Sequence, residues 1–275
     1  MSSLRSFLHS LSVDADRTAV LRKRVRSGVL SHSETITIPQ FTALSTTDLT
    51  LLFRLYDQHF FEGTISAALV SDAGGPLSLR VSKRLTKTAG LTTHSRRRRG
   101  NHRQSFEICI SSTLLFQTFE AGSTRAIEVC GVPAHDRLDA LQRVFEHELL
   151  HLVELLATGD TNCNQAPYLA LARTIFGHES NRHALVTPTE SAQVRHGVVP
   201  GALVTFKSEG EPLLGRVVRI TRRATVLVPH EAGEYLMDGV RHQKYYVPLE
   251  ALTVIPEGDL GPRRSTDPRG PAGGP

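Results

Sequence analysis

The sequence predicts an α+β chain in two parts, a helix-and-sheet domain over about residues 46–190 and a small all-β domain over about 198–255. Three observations lead there. Helical periodicity organises strong segments between residues 47 and 176, short β-like runs fill the space between them, and beyond Val198 the chain becomes short strands separated by turn residues. With 275 residues, 40% hydrophobic and 21% charged, the chain can bury cores of this size, and collagen-like or wholly disordered chains are excluded.

Residues 1–45 alternate short apolar groups with Arg and Asp, then enter a Thr/Ser/Pro stretch from Ser31 to Pro39. They are expected to form an N-terminal extension of one or two surface helices. From Thr46 the pattern turns helical: Asp48 is placed to cap, and Leu49, Leu52, Phe53, Tyr56 and Phe60 recur at spacings of three and four before Gly63, which predicts a helix over 47–61. The runs 67–70, 77–81, 90–93 and 106–110 predict strands. The stretch from His94 to Arg103 lies between the last two and reads as the connection of a hairpin.

A helix is expected over 112–118, then an irregular loop with Gly122, Gly131 and Pro133. Next comes a strong amphipathic helix, in which Leu138, Leu141, Val144, Phe145, Leu149, Leu152 and Leu156 form the apolar stripe and Gly159 marks the end. After the polar loop 160–165, a second helix runs from Pro167, acceptable in a first turn, to Phe176, with Gly177 as its stop.

Runs at 203–206, 214–220, 224–229, 244–247 and 252–255 predict five short strands and a small barrel, in which Val204, Phe206, Val217 and Val226 fill the core. Residues 256–275 are dominated by Pro, Gly, Arg and Asp and are expected to be a disordered tail.

The formal net charge of +5 equals the five arginines of the His94 to Arg103 stretch, Arg96, Arg97, Arg98, Arg99 and Arg103, so the rest of the chain is formally neutral. One concentrated basic segment suits a docking point for phosphates or an acidic partner, or equally a solvated loop. Cys109, Cys130 and Cys163 are too few and too scattered for a disulfide framework, and no apolar run approaches the ~20 residues of a membrane span. A cytoplasmic protein with reduced thiols and no membrane partner is expected.

His147, Glu148, Leu149, Leu150 and His151 form an HExxH motif inside the predicted helix. A spacing of four sets both imidazoles on one face a turn apart, where they suit two ligands of one zinc ion, Zn2+. Glu148 falls beside the metal, placed to take a proton from water and later give it to a leaving amine. Glu154 shares the face of the two histidines, where it can orient an imidazole or simply be solvated.

The order helix, strands, "FEICISS", helix, "FEHELLHLVE", polar loop, "ALARTIFGH" resembles the SprT-like family of zinc metalloproteins, related in motif to Spartan-type proteases, over roughly Thr46 to His183. The resemblance implies a zincin-like domain, a small mixed sheet over the HExxH helix, and zinc-dependent hydrolysis of peptide bonds. It also implies a third histidine ligand shortly before the second helix. An ungapped match back from "ALARTIFGH" puts Asn164, a poor zinc ligand, at that place with Cys163 beside it; Cys163 is then the favoured third ligand on chemical grounds, since a two-His, one-Cys shell leaves a fourth position open, with His178 and His183 as fallbacks. Spartan-type members cleave proteins crosslinked to DNA, so a protein substrate associated with DNA is implied.

The C-terminal texture is similar to SH3-like modules. There Arg222, Arg223, Lys244, Tyr245 and Tyr246 combine positive charge with aromatic faces, the pairing used for phosphate contact and base stacking, although the tyrosines equally suit a barrel core. The alternative function is therefore a nucleic-acid-binding protein with a structural or vestigial metal site and no peptidase activity.

Overall fold

The computed structural model describes residues 3–12, 14–71, 74–96, 104–119 and 127–256, in two compact units divided between Thr187 and Pro188. Arg97, Arg98, Arg99, Arg103 and the expected tail from residue 257 lie outside the described residues. No helix among the described residues is long and apolar enough to cross a membrane.

The first unit opens with α1 (Leu4–Ser10) and α2 (Ala15–His32), the segment expected to be a surface extension. Instead Leu4, Phe7, Val25, Val29, Ile36 and Phe41 are buried in the same core as the rest of the unit. The sequence concealed this because α2 presents arginines as well as valines inward. Arg26 bridges Asp136 and Asp139 at 2.7 Å each, and Arg22 reaches a carboxylate farther inside.

Helix α3 (Thr46–Phe60) starts at Ser45, whose hydroxyl accepts from the Asp48 N–H while the Asp48 carboxylate accepts from the Ser45 N–H. Asp48 thus closes a capping box from the third helical position and is not itself the cap. The expected strand at 67–70 falls largely in a short helix, α4 (Thr64–Leu69), because the Asp57 carboxylate accepts from the N–H groups of Ile65 and Ser66 and supplies the first turn with partners.

Strands β1 (Leu77–Ser82), β2 (Gly90–Arg96) and β3 (Gln104–Ser111) form a mixed sheet in the order β1-β3-β2, with β1 parallel and β2 antiparallel to β3. Pairing of Arg96 with Gln104 makes residues 97–103 the connection between β2 and β3. Helix α5 (Ser112–Thr118) follows at once, and a two-stranded ribbon, β4 (Glu128–Val129) and β5 (Val132–Pro133), turns through Cys130 and Gly131 at φ values of 57° and 74°.

Helix α6 (Arg137–Thr158) is capped by Asp136, which accepts from the Asp139 N–H, and ends at Gly159 in the left-handed region. It is the unit's central element: the expected apolar stripe is buried except for half-buried Leu156, and so are Gln142, Arg143, Glu146 and Glu148 on its other faces. Helix α7 (Ala166–Phe176) closes the unit, again with a left-handed glycine, Gly177.

Within this core, Glu146 is fully buried and is held by the Arg22 fork at 2.7 and 2.9 Å, the Tyr56 hydroxyl at 2.7 Å and His178 Nε2 at 2.9 Å. Burial alone would raise its pKa; the Arg22 charge, the His178 bond and Arg143 keep it well below the carboxylate range.

The second unit begins with a helix, α8 (Pro188–His196), which the sequence did not announce. Six strands follow: β6 (Leu203–Ser208), β7 (Glu211–Ile220), β8 (Arg223–Pro229), β9 (Tyr235–Met237), β10 (Val240–Pro248) and β11 (Thr253–Val254). They form one antiparallel sheet in the order β11-β6-β7-β8-β10-β9. Two tight turns, Glu209-Gly210 and Asp238-Gly239, have positive φ throughout and fix two of its hairpins. In place of the expected five-stranded barrel there is a six-stranded sheet, and no pairing between its short edge strands β9 and β11 closes it among the described residues. Val204, Phe206, Val217 and Val226 are in its core as expected.

Removing the buried acid while leaving Arg22 in place should be costly. Glu146→Ala is expected to lose about 3–5 kcal/mol in chemical denaturation. Arg80→Ala, at the half-exposed Arg80–Glu107 pair, should lose under about 1 kcal/mol in the same assay.

Candidate metal centre

Helix α6 sets His147 and His151 on the side that faces α7 and the loop before it, and Glu148 on the side that faces β2. The two imidazole Nε2 atoms stand 3.2 Å apart. The ring of Tyr168, on α7, lies over both, with centroids at 5.3 and 4.8 Å, and its hydroxyl donates to the His147 carbonyl at 2.9 Å. Burial pushes His147 down to about 3, helped by the neighbouring His151, and pushes His151 down to about 4. Both imidazoles are therefore neutral, the form that ligates metal.

The outer ring atoms decide which nitrogen is open. His151 Nδ1 is 2.7 Å from Thr161 Oγ1, and the Thr161 hydroxyl is itself 2.7 Å from Glu154 Oε2, to which it donates. His147 Nδ1 faces the Cys130 sulfur at 3.9 Å, and that thiol points to the Arg143 carbonyl. With the His151 proton on Nδ1, the His151 Nε2 lone pair faces His147 Nε2, a pair of nitrogens that one cation can bridge. Their separation agrees with two nitrogens at roughly 2.0–2.1 Å from one tetrahedral zinc, which would lie about 3.3 Å apart.

The loop between α6 and α7 brings up a third potential donor. The Cys163 sulfur and one nitrogen from each histidine all lie within 4.8 Å of one another. The loop is held from outside: Asn181 Nδ2 donates to the Cys163 carbonyl at 2.9 Å and to Asn164 Oδ1 at 2.8 Å. Within it, the Asn164 N–H bonds Asn162 Oδ1. This fixes Asn164, the alternative third ligand, as an exposed residue whose amide oxygen is engaged by Asn181. His178, the other alternative, is committed to Glu146. His183 pairs with Val129 as an isolated bridge. A His2Cys donor set fits zinc, both in softness and in leaving one position open.

Glu148 is 4% exposed, and burial pushes its carboxyl up to about 7. The Thr92 hydroxyl on β2 lies 2.7 Å from Glu148 Oε2 and 2.9 Å from the Glu148 carbonyl. Gly90, at the start of β2, makes room for the side chain: a Cβ there would stand 2.5 Å from Glu148 Cγ and 2.6 Å from Oε1. The sheet thus packs directly on the acid.

Of the residues expected to bind nucleic acid, Arg96 is exposed and donates to the Gly159 carbonyl at the end of α6. Arg222 and Arg223 are exposed at the β7–β8 turn. Tyr246 is exposed, while Tyr245 packs on Phe206 inside the second unit. Tyr235 joins them unforeseen, with Lys244 Nζ 3.9 Å from its ring centre. Thr92, Thr161 and Tyr168 were also unforeseen at the metal centre, since isolated threonines and a helix-borne tyrosine carry no motif.

Comparison with protein-family models, curated proteins and solved structures gives no match for this chain. The assignment of the centre rests on its own residues.

Elemental analysis of purified protein is expected to find one zinc per chain. His147→Ala and His151→Ala should abolish it and Cys163→Ala should weaken it, while Asn164→Ala and His178→Ala should retain it.

Proposed function

We propose that the first unit is a zinc metallopeptidase of the SprT-like, zincin-like type, acting on protein substrates. The observation that carries this is the pair of open Nε2 atoms 3.2 Å apart, with Cys163 completing the donor set and a buried acid one residue along the same helix. His147, His151 and Cys163 would hold the ion. When bound, zinc supplies a Lewis acid that polarises a peptide carbonyl and makes water a better nucleophile at neutral pH.

The remaining chemistry belongs to the chain. Glu148, raised toward neutrality by burial, is suited both to accept a proton from the attacking water and to return it to the departing amine nitrogen. Thr92 and the missing side chain at Gly90 hold that carboxylate against β2. Tyr168 packs over the two imidazoles and restricts their rotation.

Exposed Arg96, Arg222 and Arg223, and Lys244 between the rings of Tyr235 and Tyr246, support a DNA-associated protein as the substrate class. The same residues favour the second reading, a nucleic-acid-binding protein whose metal is structural. The two part on one variant. Glu148→Gln should keep its zinc and lose about 10²–10⁴ of the rate of peptide-bond cleavage; unchanged cleavage of an unfolded protein substrate would refute the role of this acid.

Gly90→Ala should also cut cleavage while retaining zinc, because the new methyl displaces Glu148 and not the histidines. DNA binding, measured by fluorescence anisotropy, should weaken linearly in log–log plots against salt, with the slope reduced in Arg222→Ala/Arg223→Ala.

A further inference from the structure

The contact between Glu154, Thr161 and His151 is short at both links, 2.7 Å and 2.7 Å, and joins the last turns of α6 to the loop beyond it. A threonine hydroxyl has one proton to give and lone pairs to accept with. The carboxylate of Glu154 only accepts, so the Thr161 proton goes to Glu154 and the Thr161 oxygen accepts from His151 Nδ1. Direction therefore runs one way along the chain, from imidazole N–H to hydroxyl to carboxylate. His151 is left with its lone pair on Nε2, the atom that faces His147.

We propose that Thr161 is a positioning residue of the metal centre, which uses the negative charge of Glu154 to fix His151 in the Nδ1–H tautomer and so sets metal affinity from outside the HExxH motif. The proposal rests on the metal-centre reading above and adds to it. The geometry is economical: Thr161 and Cys163 are two residues apart in one loop, so the segment that delivers the third ligand also orients the second. A carboxylate behind the hydroxyl makes the imidazole a stronger donor, as outer hydrogen-bond partners of metal-bound histidines do in general. Thr158 and Asp160 brace the approach, since the Thr158 hydroxyl bonds the carbonyls of Glu154 and Asp160, and Asp160 Oδ1 accepts from the Thr161 N–H.

Two measurements test this. In metal-free wild type, imidazole ¹⁵N shifts should report His151 protonated at Nδ1, with Thr161→Val shifting the population toward the Nε2–H form; an Nε2–H tautomer in wild type would overturn the proposal. In cobalt(II) titrations of the full chain, Thr161→Ser should bind as wild type does, whereas the near-isosteric Thr161→Val and Glu154→Gln should bind about 10–100-fold more weakly. At saturation both should still show the thiolate-to-cobalt absorption that reports Cys163.

Metal binding by wild type with unchanged affinity in Thr161→Val overturns the relay and leaves the metal centre standing. Loss of the thiolate band in Thr161→Val overturns it in favour of a simple anchor for the loop. A wild type that binds no metal overturns the centre and the relay together.

Discussion

A charged carboxylate with no access to water must be surrounded by donors, and the first unit is arranged around meeting that demand at Glu146. Arg22 comes from α2, Tyr56 from α3, Arg143 from α6 itself and His178 from just beyond α7. Three stretches of chain remote in sequence are thereby tied to one point on one helix, beside the Arg143 that α6 supplies itself. Their convergence fixes how α6 is rotated about its own axis, which hydrophobic packing alone would leave looser because that helix is apolar on several sides.

The rotation matters because successive residues of a helix point ~100° apart. Glu146 turns to the N-terminal helices, His147 to α7 and its preceding loop, and Glu148 to the sheet. Three neighbouring residues therefore serve three different surroundings: a structural charge cluster, a ligand set and a buried acid held by Thr92. Each environment alters its group in the direction its proposed role needs. The first keeps a carboxylate ionised, the second keeps imidazoles neutral and the third raises a carboxyl toward neutrality.

Features written into local sequence were legible. The α3, α6 and α7 segments carry apolar periodicity and glycine stops, β1 to β3 carry short branched runs, and the HExxH spacing marks one helical face. Cys163, preferred over its neighbour Asn164 for its thiolate chemistry, stands beside both histidines. What escaped depends on partners far along the chain. Helix α4 is started by a carboxylate from α3, α2 is packed through arginines, and β9 is only three residues long. Thr92 and Thr161 acquire meaning only from what they approach in three dimensions. His178 looked like a ligand held in reserve, but the buried acid has claimed it.

The guanidinium of Arg22 lies well before the helix that carries the HExxH motif and the loop that follows it. A fragment cut at residue 46 would still carry every candidate ligand and the acid, and would read as complete. It would nonetheless bury Glu146 next to His147 without the bidentate Arg22 counterion, which is discarded along with α2. The boundary of the working unit is thus drawn by electrostatic neutrality and not by the extent of the motif, and it falls before Ala15.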